Sequence, residues 1–382
     1  MKAYVVNAKA KLGKLPKEST CKDLINEDDI ERKFDIIKKV YPEISSSNSK
    51  IELEIELENH LYENLRSFLK FIKGQDRNFF EKYVSRYEIL ILELISQALF
   101  NNTIKASLDI IKKDKFSKAF KIKKEYTFKD FVLKNKHTRY YRTLLPFLNE
   151  NVERQSLGFL VSNSLNKFYY RQLLEDIKDL DKNKRVELKD FIGKKIDIFN
   201  IEMLFRLLSF FDINRNEIFN YLIEGGKYLK TDDLLNLSKM NLDDFKDFMK
   251  NSKYSLLFNE NTSFYKAKED YLSDLSKKLS NSKYDLLNLI YVVDMMDISN
   301  RNLISNLDLD QSFDKDEKKN YIIKRWYYGC RKNAPGQYYG KTRRFGWFFR
   351  RFNRYWRIWP SGCPKADTKQ RVFHNSKWGK HW

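Results

Sequence analysis

Cysteine is nearly missing from this chain of 382 residues: only Cys21, Cys330 and Cys363 occur. No CxxC pair is among them, which argues against a zinc ribbon and a disulfide framework and fits a reducing cytosol. Histidine is as sparse. His60, His137, His374 and His381 stand at no metal-binding spacing, and His60 reads as a polar neighbour on a helix face. The chain has no GxxxxGK[ST] loop, no GxGxxG after a strand and no GxSxG elbow. Nucleotide binding and triad hydrolysis therefore lack their motifs. No apolar run reaches the roughly 18 residues that would span a membrane. The N-terminal MKAYVVNAKAKLGK lacks the uninterrupted apolar region of a secretory signal. Chain breakers are scarce too: only three prolines and six glycines precede Lys324. Long amphipathic runs with so few breakers predict an all-α chain.

What is present is a large apolar fraction, 42%, beside 33% charged residues. That suffices for a real core under a solvated surface. The length suits two or three units, at roughly 100–200 residues each. Residues 1–20 are polar and lightly patterned. Asn26 is placed to cap a helix over Glu27–Val40, with acids in its first turn and lysines in its last. Pro42 and the Ser45–Ser49 cluster end it. Leu53, Leu57, Leu61, Leu65, Phe68 and Phe71 share one face of a helix over Ile51–Lys73. Gly74 and Asp76 make a turn before a long segment from Asn78 to Ile111. Thr127 caps the next helix. Long helices then span Leu157–Asp181 and Lys184–Phe211. Asn214 and Glu217 begin a helix that Gly225-Gly226 closes as a left-handed C-cap. Asp232–Met249 holds two short helices, and Ser263–Leu279 and Tyr284–Leu307 are single ones.

The run Lys194–Phe211, KKIDIFNIEMLFRLLSFF, is apolar enough to be buried yet carries Asp197, Asn200 and Arg206. It returns in degraded form near Tyr87 and near Met296. Three landmarks keep their order: Tyr41, Tyr62 and Glu88-Ile89; Tyr140 or Tyr141, Tyr169 and Asp197-Ile198; Tyr254, Tyr265 and Asp297-Ile298. Asn200 faces Asn300 in this alignment, and Ile91 occupies the place in the first copy. The order predicts three helical subdomains over residues 1–125, 126–235 and 236–320. Two readings of Asp197, Asn200 and Arg206 stand side by side. One is a polar cluster touching a partner or a neighbouring subdomain. The other is a capping acid, a packed amide and a solvated guanidinium.

Residues 321–382 are a different text. All six tryptophans lie at or after Trp326. From Lys324 onward there are 16 Lys/Arg and one acid, Asp367, against 57 Lys/Arg and 51 acids before it. Most of the net charge of +21 therefore belongs to the tail. A basic aromatic arm would bind single-stranded nucleic acid or anionic lipid, making the chain a helical nucleic-acid-binding protein. A frameshift is the other explanation, and it would leave an aberrant, disordered tail. Arg343–Phe352, back-translated and moved by one base, reads as an acidic amphipathic helix like the rest of the chain.

Six short motifs, in order, resemble one family. They are Tyr4-x-x-Asn7-Ala8-Lys9, Lys39-Val40-Tyr41 and Leu165-Asn166-Lys167-x-Tyr169-Tyr170. Ile196-Asp197-x-x-Asn200-Ile201-x-x-x-x-Arg206, Glu224-Gly225-Gly226 and Asn300-x-Asn302-Leu303 complete the set. Together they are similar to the C subunit of archaeal and bacterial V/A-type ATPases, whose eukaryotic counterpart is the V-ATPase d subunit. The resemblance covers roughly residues 1–307. It implies a funnel of three similar helical subdomains in pseudo-threefold arrangement, with no active site, metal or cofactor. It implies a rotor socket at the cytoplasmic face of the membrane. The partners would be the central-stalk subunits and the membrane rotor ring, and nucleic acid is not among them. Asp197, Asn200, Arg206, Gly225, Gly226 and Asn302 are the residues that carry the family pattern.

Overall fold

The computed structural model describes residues 3–44, 49–148, 154–211, 213–259, 262–308 and 323. Among them the fold is all-α, with short 3-10 turns and no strand. The first group of helices is α1 (Ala3–Gly13), α2 (Glu18–Asn26), α3 (Ile30–Val40), α4 (Lys50–Leu69), α5 (Gly74–Val84), α6 (Arg86–Phe100) and α7 (Ile104–Lys113). Next come α8 (Phe128–Lys134), α9 (Tyr141–Leu144), α10 (Arg154–Ile177), α11 (Lys182–Phe210) and α12 (Arg215–Ile218). The last are α13 (Thr231–Lys239), α14 (Leu242–Lys250), α15 (Phe264–Lys278) and α16 (Asp285–Asp308).

Local chemistry sets many of these ends. Thr127 and Asp130 form a reciprocal capping box on α8, with the Asp130 N–H donating to Thr127 Oγ1 at 3.2 Å and the Thr127 N–H to Asp130 Oδ2 at 3.0 Å. Ser263 and Asn241 accept first-turn amides of α15 and α14. Asn214 accepts from the Asn216 N–H at 3.1 Å, as its side chain predicts.

Three expectations are corrected. Asn26 does not cap the helix expected over Glu27–Val40; it ends α2. The Glu27 carboxylate takes the N–H groups of Asp28 and Asp29, which breaks the helix there. Asp29 then caps α3, accepting from Glu31 and Arg32 at 2.8 and 3.0 Å. The lightly patterned start is a helix, α1, whose buried stripe is only Tyr4, Val5 and Ala8. The run from Asn78 to Ile111 lies in three helices, broken at Ser85 and at Asn102, whose φ is 57°.

The largest apolar cluster runs from Tyr4 through α4–α6, α10 and the first half of α11 to α16. A second joins the last half of α11 to α13, α14 and α15. A third packs Leu24, Phe34, Ile37, Tyr41, Leu53 and Leu57 against Leu303, Ile304 and Leu307 at the end of α16. Helix α16 is buried on nearly every side from Leu286 to Asn306. It packs on α1, α2, α3, α4 and α5 as well as α15, so the chain returns to its beginning. Each buried leucine or isoleucine is worth about 1.5–3 kcal/mol, against about 0–1 kcal/mol for an exposed ion pair. Apolar burial therefore seats α16, and its polar residues need a separate account.

Candidate functional site: a buried ion cluster and two asparagine clamps

Helix α11 presents Asp197 and Asn200 one turn apart, both wholly buried. Asp197 accepts from the Tyr228 N–H at 2.7 Å, the Leu229 N–H at 3.3 Å and the Tyr254 hydroxyl at 2.6 Å. Burial pushes its carboxyl up, while these donors pull the other way. Asn200 clamps one residue at both ends: its Nδ2 donates to Ile223 O at 2.7 Å, and the Ile223 N–H donates to its Oδ1 at 2.8 Å. The loop from Leu222 to Lys230 is thus held to α11 by side chains that replace a strand or helix partner.

The two glycines belong to that loop. Helix α12 with its 3-10 extension stops at Tyr221, so Gly225-Gly226 does not form its C-cap. Gly225 does have the left-handed φ expected of it, 100°. At Gly226 the backbone passes so close to α11 that a Cβ would lie 1.9 Å from Asp197 Oδ1. Glycine is needed there for close approach. Arg206, solvated in one of the two readings, is half-buried on α11; burial lowers its basicity, with Glu202 and Tyr265 opposing.

Asn302 on α16 repeats the clamp. Its Nδ2 donates to Ile323 O at 3.0 Å, and the Ile323 N–H donates to its Oδ1 at 2.9 Å. Asn300, the residue aligned with Asn200 by sequence, instead donates Nδ2 to Leu57 O on α4 at 2.9 Å. The counterpart of Asn200 in hydrogen bonding is therefore Asn302, two positions later, which holds both backbone groups of Ile323. The acid–tyrosine pair also recurs: the Tyr140 hydroxyl donates to Glu88 Oε2 at 2.7 Å.

A buried ion cluster that the motifs do not contain joins α5, α6, α11, α15 and α16. Asp294 on α16 accepts from Tyr83 Oη at 2.6 Å, Arg86 Nη1 at 2.9 Å, Ser276 Oγ at 2.5 Å and Lys195 Nζ at 3.1 Å. Burial opposes the charge on Asp294, but Lys195 and Arg86 outweigh it and hold the carboxyl well below the usual range. Burial also lowers the Lys195 ammonium to about 8. Arg86 lies over the rings of Tyr83 and Tyr87, each at 4.8 Å. A second row continues beside it. Lys268 on α15 bridges Glu202 on α11 at 3.1 Å and Glu269 at 3.2 Å. Glu269 pairs with Arg301, and Arg301 reaches Asp297 at 3.2 Å. The one legible sign of the cluster is that Asp294 and Asp297 interrupt the apolar run Leu289–Ile298 of α16. Its partners are too distant in sequence to be read from spacing.

Among the described residues, no group of histidine, cysteine and acid side chains could hold a metal, and no helix is long and apolar enough to cross a membrane. A family model, ATP synthase (C/AC39) subunit, matches residues 6–300. The chain belongs to this family. It is 27% identical to the A-type ATP synthase C subunit of Methanosarcina mazei over 176 residues, 45% of this chain and 46% of that one. Against the same protein of Methanosarcina acetivorans it is 27% identical over 173 residues, 44% and 46% of the two chains. The Methanococcoides burtonii protein is 26% identical over 145 residues, 38% of each. The aligned stretches thus span less than half the length of these curated relatives.

Proposed function

We propose that the protein is a non-catalytic rotor subunit of a V/A-type ion-translocating ATPase. It acts as a socket between the central stalk and the membrane rotor ring and transmits torque between them. In this reading the protein is peripheral, on the cytoplasmic face of the membrane. The observation that carries the proposal is the family match over residues 6–300. The use of the motif residues supports it: Asp197 and Asn200 hold a loop to α11, and Asn302 holds Ile323 to α16.

A torque-bearing part has to resist shear between its subdomains. The ion cluster suits that need, since Arg86, Lys195 and Asp294 come one from each of three proposed units, 1–125, 126–235 and 236–320. The acid–tyrosine bonds pass from one unit to the next, Glu88 to Tyr140 and Asp197 to Tyr254. Helix α16 packs back on α1–α4. These links favour a closed pseudo-threefold body.

Affinity purification from native membranes tests the proposal. The chain should bring down stalk and ring subunits of the ATPase, and alone it should hydrolyse no ATP. Recovery of neither the stalk nor the ring would overturn the reading.

A further inference from the structure

The clamp at Asn302 reaches a residue at the edge of the anomalous tail. Ile223 is followed by Glu224-Gly225-Gly226, and those glycines let the loop pass against α11. Ile323, held by Asn302 as Asn200 holds Ile223, is followed by Lys324 and then by Arg325-Trp326-Tyr327-Tyr328. The backbone role has recurred, and the glycine pair is missing.

The genetic code supplies one glycine whatever the codons, and the second where the Arg325 codon is AGG or CGG. Tryptophan has the single codon TGG, and both tyrosine codons begin TA. Removing one base before Trp326 makes the next full codon GGT, glycine, whichever synonyms the gene uses. With an Arg325 codon ending in GG, the codon before it is GGT as well. With TAT for both tyrosines, Ile-Met follows. The frame then reads Ile-Lys-Gly-Gly-Ile-Met, beside Ile223-Glu224-Gly225-Gly226. The same frame turns Arg343–Arg351 into Glu-Asp-Leu-Asp-Gly-Phe-Leu-Glu-Asp with A/T-ending codons wherever the code allows, leucine codons being read as TTG and TTA.

Two further facts are independent of codon choice. Residues 325–382 contain no leucine or glutamate, although both recur throughout the earlier chain. A stop in the shifted frame needs a codon with T in the middle. Ile358 and Val372 are the only such non-phenylalanine residues after Lys324, and each precedes a codon beginning with T. No stop can arise there, so the shifted frame is open throughout the tail.

We infer that the reading frame moves by one base at Lys324–Arg325, and that the shifted frame encodes a second Gly-Gly loop, the counterpart in the third unit of Gly225-Gly226. The inference rests on the clamps and the code, and not on the coupling role. The nucleic-acid reading of the tail lapses with it.

The experiment is peptide mass spectrometry of the native chain, with sequencing of its gene across Lys324. The expected result is a tryptic peptide beginning Gly-Gly directly after Lys324. Stoichiometric recovery of the peptide Val372–Lys377 from the native complex would overturn the inference. In parallel, the full chain is made from a gene encoding the present tail with AGG at Arg325 and from one lacking the first base of that codon. The second should melt at least several degrees higher, and N302A should lower its melting point. Equal melting of the two chains would also count against the shift.

Discussion

The Tyr254 hydroxyl lies 2.6 Å from Asp197 Oδ2, and the same carboxylate takes two backbone amides from the loop that Gly226 brings against α11. One buried acid therefore fixes a helix, a loop and the segment leading to α15. G226A should expel that loop, because a Cβ would also meet Leu229 O at 2.7 Å. Hydrogen exchange is the direct measure. The Tyr228 and Leu229 amides should lose protection while amides at the centre of α4 keep theirs.

N200A removes both hydrogen bonds to Ile223 and leaves its N–H and C=O buried without partners. Each such group costs about 1–3 kcal/mol, so the variant should lose about 2 kcal/mol or more in urea unfolding. N200D keeps the acceptor for the Ile223 N–H but sets a carboxylate against Ile223 O. It should be no more stable than N200A at neutral pH.

D294N leaves Arg86 and Lys195 buried together without their anion. Breaking a buried ion group in this way costs about 3–5 kcal/mol. Equilibrium unfolding should place D294N far below D243N, since Asp243 pairs only with Lys246 at the surface. Combining D294N with K195M should recover part of the loss, and a double-mutant cycle would read that coupling.

Acid should release the second row of ions. Burial raises the Glu269 carboxyl, but Arg301 and Lys268 outweigh it and bring it to about 2 from an ordinary 4.5. The folded chain therefore binds fewer protons than the unfolded chain between those values. The stability this contributes is complete above about pH 4.5 and is lost as pH falls toward 2. E269Q should flatten the fall of unfolding free energy across that window.

Much of the fold was legible because amphipathic spacing and capping side chains are local. Thr127, Ser263 and Asn214 mark helix starts without help from tertiary structure. Helix α1 was not legible, since its three buried residues make too short a stripe to read. Asp197 and Asn200 could be nominated as polar residues in an apolar run. What they hold could not, because Ile223, Tyr228 and Tyr254 are chosen by the path of the loop. Gly225 was readable as left-handed, whereas the close approach at Gly226 depends on α11. The ion cluster depends on contacts between Arg86, Lys195 and Asp294 that no spacing encodes.

The central claim is coupling, and ATP-driven ion uptake measures it most directly. Membranes carrying the rotor ring would be rebuilt with head and stalk subunits, with or without this chain. Uptake should occur only when the chain is present, while ATP hydrolysis by the free head is unchanged. Equal uptake in its absence would rule out the coupling role.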